Sequence, residues 1–337
     1  MKTVAYRACA ALSEPDALYD TEAPAPAPGL RDVLVAVRAV SVNPVDTKVR
    51  AGSVQVPEGV DTLGWDATGV VVGVGSEVSL FAVGDEVFYA GTFTRAGANA
   101  ELHCVDERLV GFKPSSLNFA EAAAMPLTSL TAWELLFERL RVAPGKRPDS
   151  GTLLVIGGAG GVGSMLIQLA RRLTGLTVIA TASRPESRAW CLELGAHHVL
   201  DHHASISEQL AALGYPQVSH VAALTHTARH LGAIAQAVAV HGQVVIIDDH
   251  DTLDIVPFKA KSISLHWEMV FTRPLYQTGD MIAHHHILNE VAALVDAGVL
   301  KSTLRELITP FTAASLRKAH ALVEQGDRLG KVVVARQ

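Results

Sequence analysis

The feature that most constrains this chain is Gly158-Ala159-Gly160-Gly161-Val162-Gly163. It directly follows the apolar run Thr152-Leu153-Leu154-Val155-Ile156 and leads into a helical stretch over 163–173. A G-x-G-x-x-G pattern is weak by itself. Between a buried strand and a helix it marks a dinucleotide-binding turn. The glycines let the chain turn tightly and let a pyrophosphate approach the backbone, and the helix start offers N–H groups and a positive dipole end. Downstream the texture repeats. Thr177-Val178-Ile179-Ala180-Thr181 reads as a strand, and 185–194 as a helix. His198-Val199-Leu200, His220-Val221-Ala222-Ala223-Leu224 and Gln243-Val244-Val245-Ile246-Ile247 supply further strands. Such alternation predicts an α/β fold, a Rossmann-type doubly wound parallel sheet.

The tip of the second strand bears on which dinucleotide fits. NAD sites place an acid there, on the ribose hydroxyls. Here the strand runs out as Thr181-Ala182-Ser183-Arg184, without an acid. Ser183 can hydrogen-bond a 2′-phosphate, and Arg184 and Arg188 can face it through charge-assisted bonds. The expectation is NADPH. Arg184 and Arg188 also suit a solvated helix face.

The first hundred residues differ in kind. Val33-Leu34-Val35-Ala36-Val37-Arg38-Ala39-Val40, Gly69-Val70-Val71-Val72-Gly73-Val74-Gly75 and Asp85-Glu86-Val87-Phe88-Tyr89 are β segments among glycine-rich turns. Pro24-Ala25-Pro26-Ala27-Pro28-Gly29 is a stiff extended connector. A helix capped by Asn118 and a second over 128–140 follow, then a polar surface connection over 141–151. A late helix over 287–298 and the strand Lys331-Val332-Val333-Val334 close the chain.

With 337 residues, two domains are expected. The formal net charge of −6 makes the chain a poor binder of nucleic acid or anionic membranes. No stretch reaches the roughly 18 uninterrupted apolar residues of a membrane span. The start, Met1-Lys2-Thr3-Val4-Ala5-Tyr6, lacks a signal-peptide layout, so a cytoplasmic location is expected. Cys9, Cys104 and Cys191 are sparse and widely spaced, which argues against a disulfide framework or a cysteine-rich metal lobe.

Four segments then occur in a telling order. They are Ser41-Val42-Asn43-Pro44-Val45-Asp46, Gly84-Asp85-Glu86-Val87, Ala123-Ala124-Met125-Pro126-Leu127-Thr128 and Gly158 to Gly163. So ordered, they resemble the medium-chain dehydrogenase/reductase superfamily, through Gly330-Lys331-Val332-Val333 near the end. The resemblance is closest to quinone oxidoreductases and to the zinc-type alcohol dehydrogenase-like subgroup. It implies a β-rich GroES-like catalytic domain from both chain ends, over 1–127 and 269–337, and a Rossmann cofactor domain over 128–268. It also implies an enzyme acting on a small-molecule substrate, a homodimer or tetramer with the dimer favoured, and cofactor contacts from Thr128, Lys331 and the loop Gly158, Ala159, Gly160, Gly161, Val162 and Gly163.

The zinc of that family is tested by the residues. Its zinc-dependent members use a cysteine where this chain has Asn43, and a histidine where Gly64-Trp65-Asp66 stands. Their third ligand lies near a turn that here offers only Met125. Catalytic zinc needs about three protein ligands and an open position. No metal is expected. The histidine runs His202-His203 and His284-His285-His286 do not change this, because consecutive histidines on a helix diverge. His284 to His286 are read as preceding the last helix, and His202 as able to touch the adenosine end of a cofactor.

Without a Lewis acid, an activated double bond is the easier hydride acceptor, since its charge spreads into an enolate or phenolate. The expected activity is NADPH-dependent reduction of a quinone or an α,β-unsaturated carbonyl. Asn43 is read as a hydrogen-bond donor to the substrate oxygen, with Asp46 and Lys48 as its catalytic neighbours and Lys48 as a candidate oxyanion partner or proton source. The structural alternative stays open: Asn43-Pro44 makes a turn, and Asp46 pairs with Lys48 or Arg50. Trp65 and Tyr89 suit either an apolar wall for a flat acceptor or plain core packing. Two other functions also remain: a zinc alcohol dehydrogenase, and a protein that binds NADPH without turnover.

Overall fold

The computed structural model describes residues 1–7, 9–147 and 150–336, which form two compact units. One unit comprises Met1–Leu130 and Phe271–Gln337, and the other Thr131–Val270. The boundaries expected from sequence lay at 127/128 and 268/269.

In the first unit the strands in chain order are β1 (Lys2–Tyr6), β2 (Leu18–Glu22), β3 (Asp32–Val42), β4 (Ala67–Val74), β5 (Glu86–Tyr89), β6 (Leu102–Asp106) and β7 (Val110–Phe112). Three helices interrupt or follow them: α1 (Pro44–Arg50), α2 (Phe119–Ala123) and α3 (Pro126–Trp133). Helix α3 runs into the second unit and continues as a π-helical turn, Glu134–Arg139. The second unit then alternates β8 (Thr152–Ile156), α4 (Gly161–Leu173), β9 (Thr177–Thr181), α5 (Pro185–Glu193), β10 (His198–Leu200), α6 (Ile206–Ala212), β11 (Val218–Ala223), α7 (Thr227–Ala237), β12 (Val238–Ile246) and β13 (Ser264–Trp267). The chain returns to the first unit through α8 (Thr272–Tyr276), α9 (Ala283–Asp296), β14 (Leu304–Ile308), α10 (Ala313–Glu324) and β15 (Lys331–Ala335).

The first unit is built on a seven-stranded sheet ordered β14-β15-β3-β4-β5-β7, with β6 also paired to β3. The pair β14–β15 is parallel and the other pairs are antiparallel. Pairing of β15 with β3 sets Val332 opposite Val42, so the last strand of the chain is stitched beside the segment that begins α1. The second unit holds one parallel sheet in the order β10-β9-β8-β11-β12-β13. Its strands β8 and β9 are buried from their second residue on, as central strands of a parallel sheet are. Leu154, Ile156, Ile179, Val221, Ala223, Ile234, Val244 and Phe258 belong to its core. The strand order reverses between β8 and β11, and in open α/β sheets ligands bind beyond the carboxyl ends of the strands at that switch point. The glycine turn leaves β8 there.

Several boundaries differ from the sequence reading. Helix α4 starts at Gly161 rather than Gly163, with Gly160 as its cap. Helix α9 starts at Ala283, so His284, His285 and His286 lie inside it rather than before it, the first two buried. The predicted helix over 128–140 is split between α3 and the π-helical turn. In the expected surface connection over 141–151, Gly145 bridges to Thr174, while Pro148 and Asp149 lie outside the described residues. No helix among the described residues is long and apolar enough to cross a membrane.

Candidate functional site

The glycine turn is shaped by close approaches. A Cβ on Gly163 would lie 2.4 Å from the Gly157 carbonyl oxygen, and one on Gly158 would lie 2.7 Å from the Ala180 Cβ. These two positions bring α4 down onto β8 and β9. A Cβ on Gly160 would meet only the Gly157 oxygen, at 3.7 Å, so the outer side of the turn stays open. The Thr181 hydroxyl accepts from the Gly157 N–H at 3.0 Å, and the Thr181 carbonyl accepts from the Gly158 N–H at 3.2 Å. The Ser164 hydroxyl donates to the Ala159 carbonyl and accepts from the Trp190 indole N–H at 2.8 Å. The first intrahelical donor is the Ser164 N–H, bonded to the Gly160 carbonyl. The N–H groups of Gly161, Val162 and Gly163 precede it and make the anion-binding end of a helix. This turn fits a dinucleotide pyrophosphate.

At the β9 tip, Ser183 is half-buried and Arg184 exposed. The Ser187 hydroxyl accepts from the Arg184 N–H at 3.2 Å, which fixes the start of α5. Arg188 is a correction to the sequence reading. Its guanidinium donates to the Ala182 carbonyl at 3.2 Å and to the Val199 carbonyl at 2.9 Å, tying the tip of β9 to β10. A guanidinium engaged with two carbonyls is a brace, so the phosphate-facing expectation rests on Ser183 and Arg184. His202 is half-buried just beyond β10, with its ring 4.5 Å from that of His203. Burial first, and His203 next, hold its pKa below the usual histidine value.

In the first unit the segment from Asn43 folds into a buried polar network. Asn43 caps α1 and Pro44 takes its first position, where a missing N–H does no harm. Asp46 completes the cap: its carboxylate accepts from the Asn43 N–H at 2.8 Å and from the Gly64 N–H at 3.0 Å. Gly64 has φ +105°, and a Cβ there would strike Asn99, so only glycine presents its N–H this way. Asp66 is fully buried. It accepts from the Leu127 N–H at 3.2 Å and the Asn43 amide at 3.1 Å, and it pairs with the Lys331 ammonium at 3.2 Å. Lys331 also donates to the Val42 carbonyl and to the Asn43 side-chain oxygen. Three strand or helix starts, from β15, α1 and α3, are thereby joined through one carboxylate.

This geometry corrects two expectations. Both N–H bonds of the Asn43 amide are used, one on Asp66 and one on the Ser41 carbonyl at 3.2 Å, so Asn43 has no donor left for a substrate oxygen. Lys331 is 4% exposed and its three donors meet internal acceptors. It is the counter-ion of the network rather than a cofactor contact. Asp46 bonds to backbone N–H groups, and Arg50 pairs with Glu324. Burial raises the Asp46 pKa to about 7, against the pull of its backbone donors and Lys331. Burial likewise pushes Asp66 up and Lys331 down, each opposed by the charge of the other. Lys48 is half-buried on α1. The Thr128 hydroxyl is buried and donates to the Met125 carbonyl at 3.1 Å. Tyr89 is a core residue stacked on His103, its hydroxyl 3.0 Å from the His103 Nδ1.

Zinc does not fit these residues. Asn43 is already engaged as an amide on both atoms, Trp65 and Met125 supply no ligand, and an ammonium neutralises Asp66. Among the described residues no group of three or more His, Cys, Asp or Glu could hold a metal ion.

Fold and site together define a pyridine-nucleotide oxidoreductase of two units. Residues 29–133 match the family described as alcohol dehydrogenase GroES-like domain, and residues 194–334 match the family described as zinc-binding dehydrogenase. A zinc-type alcohol dehydrogenase-like protein of Staphylococcus aureus is 34% identical over 99% of both chains. The solved structure of a candidate zinc-dependent alcohol dehydrogenase from Rhizobium etli superposes with TM-score 0.95 at 50% identity, covering 100% of this chain and 98% of that one. A chloroplastic NADPH-dependent alkenal/one oxidoreductase of Arabidopsis thaliana is 39% identical over 50% of this chain and 45% of its own. The chain belongs to the medium-chain dehydrogenase/reductase superfamily.

Proposed function

We propose that this protein is an NADPH-dependent reductase of quinones or α,β-unsaturated carbonyls that works without zinc. The observation that carries the reading is the closed network of Asn43, Asp66 and Lys331, which stands where metal-dependent relatives need ligands. A quinone or enone spreads developing negative charge over several atoms, so it demands less of a Lewis acid than a plain ketone. The Arabidopsis relative, named for alkenal and alkenone substrates, supports this class.

Bound NADPH supplies the hydride. The turn from Gly158 to Gly163 would hold its pyrophosphate, and Ser183 with Arg184 its 2′-phosphate. Asp46 and Asp66 hold α1 and the start of α3 in place, and Lys48 on α1 is the candidate proton source. The protein works as a homodimer in the cytoplasm.

The test is the loss of reduced-nicotinamide absorbance with p-benzoquinone, an enone and a simple aldehyde, each with NADPH or NADH and with or without chelator. Turnover of quinone or enone that prefers NADPH and ignores the chelator is expected. Aldehyde turnover abolished by the chelator would sink the proposal.

A further inference from the structure

Three histidines and an arginine gather with His202 at the carboxyl edge of the parallel sheet, all within the second unit. Pairing of β10 with β9 sets Leu200 opposite Thr181, so Asp201-His202-His203 leaves the sheet beside Ala182-Ser183-Arg184. From beyond β11 come His226, which caps α7 with φ +52°, and Arg229 and His230 in the first turn of that helix. The His202 ring lies 4.5 Å from that of His203 and 6.2 Å from that of His230. His203, His226 and Arg229 are exposed and His202 is half-buried, so the cluster is open to a solute. The two acids that act on these rings are already engaged. Asp201 accepts from the His203 N–H at 2.9 Å, and Gln209 of α6 holds its backbone. Asp248, beyond β12, accepts from the N–H and the hydroxyl of Thr227 and stands 3.1 Å from the His250 Nε2. Burial first, and the neighbouring imidazole next, hold the pKa values of His202 and His230 down. Arg229 and His226 add to this at both rings, while Asp201 and Asp248 oppose it.

Crowded imidazoles beside a guanidinium resist protonation until an anion joins them. Ligands of an open parallel sheet bind beyond the carboxyl ends of its strands, and the charge that separates NADPH from NADH is the 2′-phosphate. We infer that His202, with His203, His226 and Arg229, forms the second side of a 2′-phosphate site whose first side is Ser183 and Arg184, so that NADPH is favoured over NADH more strongly as the imidazoles take up protons. A protonated imidazole makes a charge-assisted bond to a phosphate oxygen, and histidine is the side chain that gains this charge near neutral pH. The sign follows from the free protein. Its His202 and His230 are mostly neutral above the ordinary histidine value, and the bound phosphate raises their pKa values, so affinity grows as pH falls through that range. The gain ends where the 2′-phosphate, with a second pKa of about 6, takes up a proton itself.

This inference rests on the proposed use of NADPH, and the experiment separates the two. Calorimetric titration of the wild type with NADP⁺ and with NAD⁺, at about pH 8 and about pH 6, brackets the ordinary histidine value. The ratio of the two affinities is expected to shift toward NADP⁺ by about tenfold at the lower pH, the factor for a one-unit pKa rise of one imidazole. Repeating the titrations at about pH 7, where the 2′-phosphate is mostly a dianion, in two buffers of different ionisation enthalpy counts protons. NADP⁺ is expected to bring a fraction of a proton with it, and NAD⁺ none. These measurements need no variant. His202→Gln is expected to remove most of the shift and of the uptake, whereas Arg184→Gln lowers NADP⁺ affinity at both pH values. An affinity ratio equal at the two pH values, or proton uptake undiminished in His202→Gln, overturns the inference and leaves the preference for NADPH standing. NAD⁺ bound more tightly than NADP⁺ at both pH values overturns that preference itself.

Discussion

At the scale of single residues, the network around Asp66 is the most exacting part of the first unit. A carboxylate at 0% exposure is tolerable because the Leu127 N–H bonds one oxygen, the Asn43 amide bonds the other, and an ammonium stands 3.2 Å away. The variant Lys331→Met leaves Asp66 buried and unpaired. It is expected to lower stability by about 3–5 kcal/mol, the range for breaking one side of a buried ion pair. Chemical denaturation measures this. The double variant Asp66→Asn/Lys331→Met removes both charges and is expected to recover a large part of the loss. Equal stabilities for the single and double variants would mean that the pair is not an ion pair in the folded protein.

At the scale of elements, the second unit was readable because its signals are local. Strand, glycine turn and helix follow one another between residues 152 and 173, and the apolar runs match β8 to β12 within a few residues. The first unit was harder. Helix α1 announces itself as Asn43-Pro44 with Asp46 three residues past the cap, a capping pattern, but the sequence reading took these residues for chemistry or for a turn with an ion pair rather than for a helix cap. Strand β14 and helix α10 were missed, although Thr312 supplies a recognisable cap by accepting from the Ser315 N–H. The role of Lys331 could not be read, because it depends on β15 pairing with β3 across nearly the whole sequence.

The π-helical turn after α3 was also invisible. It puts Glu134 and Arg139, five residues apart, on one face, since a π turn uses more residues than an α turn. Arg139 donates to Glu268 at 2.7 Å, and the other Glu268 oxygen is buried without a donor, facing the Glu134 carboxyl. Glu138 and, through Arg139, His266 and Arg141 complete the charged surroundings. Burial and then Glu134 raise the Glu268 pKa to about 8. A carboxyl whose pKa rises on folding gives stability that is complete at low pH and fades as pH climbs from the ordinary carboxylate range to about 8. Thermal midpoints of the wild type should therefore fall over that interval. Glu134→Gln, which offers a permanent donor to Glu268, should flatten the upper part of the fall and leave the share due to Asp46. A Glu134→Gln curve parallel to the wild type would show that no proton is shared.

At the scale of the whole molecule, the parallel sheet ends at β13, which among the described residues pairs with no strand but β12. Strand β13 carries Trp267 at 59% exposure with Met269 just beyond at 46%. An open strand edge beside large apolar side chains invites pairing with another strand, and soluble proteins normally cover such an edge. A second copy of the same chain satisfies it most simply. Two β13 strands running antiparallel about a twofold axis would pair their backbones and cover both tryptophans in an isologous contact. Light scattering on the purified protein should then give twice the 35.7 kDa of one chain. Trp267→Glu would place a charge at the centre of that contact and is expected to yield the monomer, with pyridine-nucleotide binding retained because Trp267 lies outside the glycine turn and the β9 tip. A wild type that stays monomeric, or a Trp267→Glu variant that stays dimeric, would move the subunit contact away from this edge.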